Sequence, residues 1–255
     1  MKHSKAMQIW NIIYPVFLYF AVTVLVLYLI DGFWPETRND RLFQQLLTSL
    51  AVLPMLCVLY RDGHVKREIP KKRTFYSAVV MFVVGGCFAV AWNTLLGMIK
   101  IAEISPSYEQ VAETFYTGRM FFEILALCIV IPVVEELLYR GIVFQRSVDF
   151  LGARPAVLVS AVIFGLVHMN LVQFIYAAVF GILLAYVTDL TGTLAGAIAA
   201  HMAANLTSVL SAETGLFSFL DNGAVVQIPV MVMLFGISAM GIYSIRNKIQ
   251  PLCAK

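Results

Sequence analysis

Charge is what this sequence has least of. Only 13% of its 255 residues are Asp, Glu, Lys or Arg, against about 25% in an ordinary soluble domain, while 60% are hydrophobic. With a mean hydropathy of +0.84, the composition excludes a soluble globular protein and points to a polytopic membrane protein. Cysteine is scarce too. Cys57, Cys87, Cys128 and Cys253 have no CxxC spacing, and three of them fall in apolar runs. That pattern excludes a disulfide framework and a thiolate metal site. Internal repeats and low-complexity tracts are missing, so a single membrane-embedded domain over 1–255 is expected. The net charge of +3 is small, and no nucleic-acid partner is expected.

What the sequence does have is long apolar runs. A spanning helix needs about 17–25 apolar residues, and such runs read as 9–30, 42–60, 75–99, 120–144, 156–169, 171–187, 194–210 and 225–245. The expected fold is therefore all-α, a membrane bundle of about eight transmembrane helices. The first run is too long for a signal-peptide core and has no small-residue cleavage site, so it is read as a helix. The boundary at Asn170 is the one composition does not mark. Without a break there, 156–187 would be one helix of about 48 Å, far longer than a hydrocarbon core of about 30 Å. A tight turn is expected at that residue.

The positive-inside rule orients this arrangement. Lys2, Lys5, Arg61, Lys66, Arg67, Lys71, Lys72, Arg73, Arg146, Arg154, Arg246, Lys248 and Lys255 fall at the end of the bundle that holds both termini. Arg38, Arg41, Lys100 and Arg119 fall at the other. Both termini are expected to be cytoplasmic, with the protein multi-pass in the plasma membrane. The cluster from Lys66 to Arg73 reads as the orientation signal, with anionic-lipid binding as the alternative. The stretch from Lys100 to Arg119, with Glu103, Pro106, Glu109 and Glu113, reads as a solvated external segment.

Against this background, the run Glu135-Glu136-Leu137-Leu138-Tyr139-Arg140 stands out. One charged side chain at the centre of a membrane helix costs roughly 2.5–3.5 kcal/mol, so intramembrane charges need a partner or a task. Glu136 and Arg140 are i, i+4 with the acid N-terminal, which suits a paired charge. Glu135 lies about 100° around the helix and is left free for chemistry. Two further motifs put polar groups at membrane depth. Phe164 and His168 share one helix face, as do His201 and Asn205. Counted from the end bearing the termini at 1.5 Å per residue, Glu135 lies about 16 Å deep, His168 about 21 Å and His201 about 14 Å. One common layer is allowed, with water expected to reach it from that same cytoplasmic end. Gly181 with Ala185, and Gly192 with Gly196, form small-xxx-small pairs suited to close helix packing.

Together these residues resemble the CPBP family of intramembrane proteases, also called the CAAX protease, bacteriocin-processing or Abi family. The family pattern is Glu-Glu-x-x-x-Arg, then Phe-x-x-x-His, then His-x-x-x-Asn, on successive helices. Here it is met by Glu135, Glu136 and Arg140, by Phe164 and His168, and by His201 and Asn205, over about residues 120–210. The resemblance implies an endopeptidase whose water is activated by Glu135, with His168 holding that water. His201 and Asn205 would stabilise the oxyanion, Glu136 and Arg140 would organise the site, and Phe164 would form its wall. It leaves two mechanisms open. In one, Glu135, His168 and His201 hold zinc or another divalent metal; in the other, no metal takes part. His₂Glu plus water is a catalytic zinc pattern, but the sequence has no His-Glu-x-x-His segment. The implied substrate is a membrane-associated peptide or protein, and the small single-domain chain resembles the bacterial kind.

Two other classes remain as alternatives at this point: a non-catalytic scaffold or bacteriocin self-immunity protein of the same fold, and an ion-coupled transporter.

Overall fold

A chain this apolar, in a lipid core that offers no hydrogen bonds, satisfies its backbone amides within helices. The computed structural model describes residues 4–62, 71–101, 114–116 and 119–249. Among these residues the protein is all-helical, with no strand, and eight helices follow in order. They are α1 Lys5–Phe33, α2 Arg41–Asp62, α3 Lys71–Met98, α4 120–151, α5 Ala153–Leu166, α6 Leu171–Thr191, α7 Ala195–Thr214 and α8 Ala224–Ile249. Each apolar run therefore folds as a helix. Five of them, α1, α2, α3, α6 and α8, are long and apolar enough to cross a membrane. The other three differ for visible reasons: α5 has 14 residues, α4 carries the charged motif, and α7 is rich in Ala, Ser and Thr. Large apolar side chains face outward along the bundle, among them Phe17, Val24, Tyr28, Phe75, Val232 and Met240, as on a lipid-facing surface.

The turn at Asn170 is present. Met169 takes a left-handed φ of 59°, and Asn170 is extended and caps α6, its side chain accepting from the Gln173 N–H at 2.8 Å. Of the expected orientation cluster, Lys66, Arg67, Lys71 and Lys72 lie outside the residues whose side chains are described. So do the acidic residues Glu103, Glu109 and Glu113 of the expected external segment, and Cys253.

Helix α4 is the hub, packing against α1, α2, α5, α6 and α7, while α3 packs on α7 and α8. Two of the apolar clusters among the described residues meet at the site. One joins α1, α2, α4 and α5 through Ile12, Leu56, Leu138, Ile142 and Phe164. The other joins α3, α6, α7 and α8 through Met81, Val84, Phe180, Leu184 and Ile245. The His201 ring bridges them, with its centroid 5.7 Å from Phe164 and 6.0 Å from Phe180. On α3, a Cβ at Gly85 would sit 2.2 Å from the Ala200 carbonyl oxygen, so only glycine lets α3 approach α7 beside His201. Of the expected small pairs, Gly181 packs on Ala161 and Arg140, whereas Gly192 is the left-handed cap that ends α6.

At the end of the bundle opposite the termini, Asp40 caps α2 by accepting from the Phe43 N–H at 3.0 Å. It also accepts two bonds from Arg119, at 2.7 and 2.8 Å, which tie α2 to the start of α4. The Arg119 bonds, helped by the Phe43 amide and opposed by burial, hold the Asp40 carboxyl below its ordinary value. A carboxyl depressed in the folded state stabilises above its unfolded pKa of about 3.9 and loses that contribution as pH falls through the folded value. Asp40→Ala should therefore cost about 1 kcal/mol near neutral pH, mostly as a lost cap. The deficit in thermal midpoint relative to wild type should shrink in acid.

Candidate active site

Helix α4 is not uniformly α. Ile124–Val130 and Leu137–Phe144 are π-type, flanking the α-helical segment Ile131–Glu136 that carries both glutamates. Such bulges re-aim side chains and recur at functional sites. At the first of them Ile131 N–H bonds five residues back to Ala126 O. The Leu127 carbonyl would next take an amide from position 132, which is proline and has none. Asn205 of α7 fills the gap, its Nδ2 donating to Leu127 O at 2.7 Å. One face of Asn205 thus pins α7 to the bulge, and its remaining groups line the cavity described below. Removing the amide should leave the Leu127 carbonyl without its side-chain donor at the cavity wall, at about 1 kcal/mol. Asn205→Ala should accordingly lower the unfolding midpoint in detergent. The loss should be smaller in a Pro132→Ala background, where a restored amide can bond Leu127 O.

Just beyond the bulge, Arg140 Nη1 donates to Glu136 Oε1 at 2.9 Å, with both side chains 0% exposed. The same oxygen lies 2.8 Å from His201 Nδ1. A carboxylate oxygen only accepts, so Nδ1 carries the proton. The other Arg140 nitrogen, Nη2, donates to Gly181 O at 3.3 Å, and the guanidinium lies 4.3 Å from the Phe164 ring centre. One buried ion pair therefore fixes α4 against α5, α6 and α7. Glu136 Oε2 and Arg140 Nε have no hydrogen-bond partner among the described residues.

Glu135 points elsewhere. Its side chain is 19% exposed, and its Oε2 is 3.6 Å from His201 Nε2, too far for a direct hydrogen bond. His168 Nδ1 is 2.8 Å from Phe164 O. A carbonyl only accepts, so Nδ1 carries hydrogen and Nε2 keeps its lone pair. Phe164 is 2% exposed, with its ring 5.1 Å from His168 and 5.0 Å from Tyr139. Glu135, His168, His201, Asn205, Tyr139 and Phe164 all line one cavity of about 800 Å³. Glu136 and Arg140 lie beneath it.

Among the described residues, the cavity does not extend toward the end that holds the termini, where water was expected to enter. Its remaining walls come from the end of the bundle away from the termini, including Gly97, Tyr116 and Ser211. Depth along each helix does not encode the end at which the helices part.

Among the described residues, no three of His, Cys, Asp and Glu converge as ligands. The Nδ1–H bonds of His201 to Glu136 and of His168 to Phe164 O leave each Nε2 uncommitted, an arrangement equally suited to a water or to a metal-bound imidazole. Residues that sequence reasoning missed are Tyr139, Gly85 and the carbonyls of Leu127 and Gly181. Of these only Leu127 left a signal, the proline five positions on.

Residues 117–207 match the family model described as type II CAAX prenyl endopeptidase, Rce1-like. The matched segment holds all seven motif residues, from Glu135 to Asn205. The match supports a CPBP/CAAX protease family for this chain, an identification first suggested by the ordered motifs. No curated protein and no solved structure matches the chain.

Proposed function

We propose that this protein, with its CAAX-protease-like central segment, is an intramembrane endopeptidase of the bacterial CPBP type. It would cross the plasma membrane eight times as a single domain, with both termini cytoplasmic, and hydrolyse a peptide bond of a membrane-associated peptide or protein. The observation that carries this reading is the division of labour between adjacent glutamates. Glu136 is sealed against Arg140 and His201, while Glu135 faces the cavity shared with the unprotonated His168 Nε2.

In the mechanism a water is held between Glu135 and His168 Nε2. Glu135 takes one proton as the water oxygen bonds to the peptide carbonyl carbon. The resulting oxyanion is met by the second N–H of Asn205 and by His201. Because His201 Nδ1–H is committed to Glu136, Nε2 donates to the oxyanion when the ring carries both protons. As the C–N bond breaks, Glu135 returns its proton to the leaving amine. Phe164 and Tyr139 wall the site. Neither step is routed through a metal.

The test compares membrane and released peptides from cells expressing wild type, Glu135→Gln and His201→Ala at equal levels. A product seen only with wild type is expected. Identical peptide sets in all three would contradict the proposal and favour a non-catalytic scaffold, whereas a Glu135-dependent change in ion flux without cleavage would favour a transporter.

A further inference from the structure

We infer that substrate reaches this site from the external face of the membrane, at the end of the bundle opposite both termini. The inference rests on the protease reading for its word "substrate", but the direction of access stands on geometry and charge alone.

The geometry concerns where the cavity stops. On α4 its lining goes no deeper than Tyr139, on α6 no deeper than Phe180, and on α7 no deeper than His201. Below those positions Arg140, Phe144, Leu184 and Ala200 are packed to 1% exposure or less. From Tyr139 to Leu151 about 18 Å of packed helix separates the cavity floor from the end that holds the termini. In the other direction the walls continue through Asn93 and Gly97 on α3 and Ser208 and Ser211 on α7, to Ile101 and Tyr116 between helices. Ser211 is exposed.

Charge says which face this is. Among the described residues, nine Lys and Arg lie at the closed end and four at the open end, with Arg140 inside the site. The positive-inside bias therefore puts the closed end in the cytoplasm. The opposite insertion would leave that excess outside, against the same bias. A peptide carried on, or inserted from, the external leaflet would approach Glu135 along these described walls. A C-terminal tail held on the cytoplasmic leaflet meets the packed floor.

Two measurements test this. Single cysteines are placed at Ser211, Ser208 and Arg154 in a variant with Cys57, Cys87, Cys128 and Cys253 replaced by Ala, and intact cells are treated with a membrane-impermeant maleimide. Ser211→Cys and Ser208→Cys should be labelled, while Arg154→Cys, at the start of α5, should react only after permeabilisation. The reverse pattern would overturn the inference. Should the cysteine-free background not fold, the wild-type chain in sealed vesicles of defined orientation serves instead. A peptide substrate from the cell comparison should be cleaved when added at the face opposite the termini, and cleavage only from the terminal face would overturn the inference. The two readings fail separately. External labelling without Glu135-dependent cleavage keeps the direction of access and removes the protease. Glu135-dependent cleavage with labelling only from inside keeps the protease and removes the direction.

Discussion

Arg140→Leu is expected to lose about 3–5 kcal/mol of stability, because it leaves Glu136 buried without its cation. The structure gives three reasons to expect the upper part of that range. Glu136 and Arg140 are both fully buried, the guanidinium lies over Phe164, and Nη2 holds the Gly181 carbonyl of α6. His201 would remain as the only donor to the carboxylate among the described residues. The paired variant Glu136→Gln/Arg140→Leu should recover much of the loss, since removing both charges also removes the desolvation cost. Its amide oxygen can still accept from His201 Nδ1. Thermal unfolding of the purified protein in detergent measures both. If Arg140→Leu unfolds at the wild-type midpoint, the ion pair does not organise the site.

Glu135→Gln should do the opposite, leaving stability close to wild type while removing activity. Glu135 makes no direct hydrogen bond to His201, being 3.6 Å away, and it is partly exposed to the cavity, so an isosteric amide disturbs little packing. The amide cannot take a proton from water. General-base catalysis contributes about 10²–10⁴-fold, and the loss should appear in kcat with KM nearly unchanged. Glu135→Asp keeps the carboxylate but withdraws it by one methylene, and should retain more activity than Gln. A variant that loses KM instead would make Glu135 a binding residue.

The helices were legible because a membrane imposes length and apolarity on each of them, and the Asn170 turn followed from the same arithmetic. Glu136 and Arg140 were legible as a pair because i, i+4 places them on one face whatever else surrounds them. The π-type segments of α4 were not, since their ladder depends on which carbonyl each amide selects, and Pro132 only hints at the choice. Asn205 was expected at the oxyanion; its bond to Leu127 O is visible only once α7 is placed against the bulge. Gly85 was likewise unreadable, because its close approach to Ala200 O is a contact between distant segments. The position of the cavity walls belongs to the same class: it depends on how α1, α3, Phe115 and Tyr116 stand around the motif helices, and no spacing within the motifs encodes that.

Hydrolysis by a Glu135-activated water is what would set this protein apart from a scaffold or a transporter. Its most direct test is purified protein in lipid vesicles, incubated with the candidate peptide in ¹⁸O-labelled water. The account predicts a new carboxylate carrying solvent oxygen with wild type, and no product with Glu135→Gln unfolding at the same midpoint. Equal product from Glu135→Gln would contradict it.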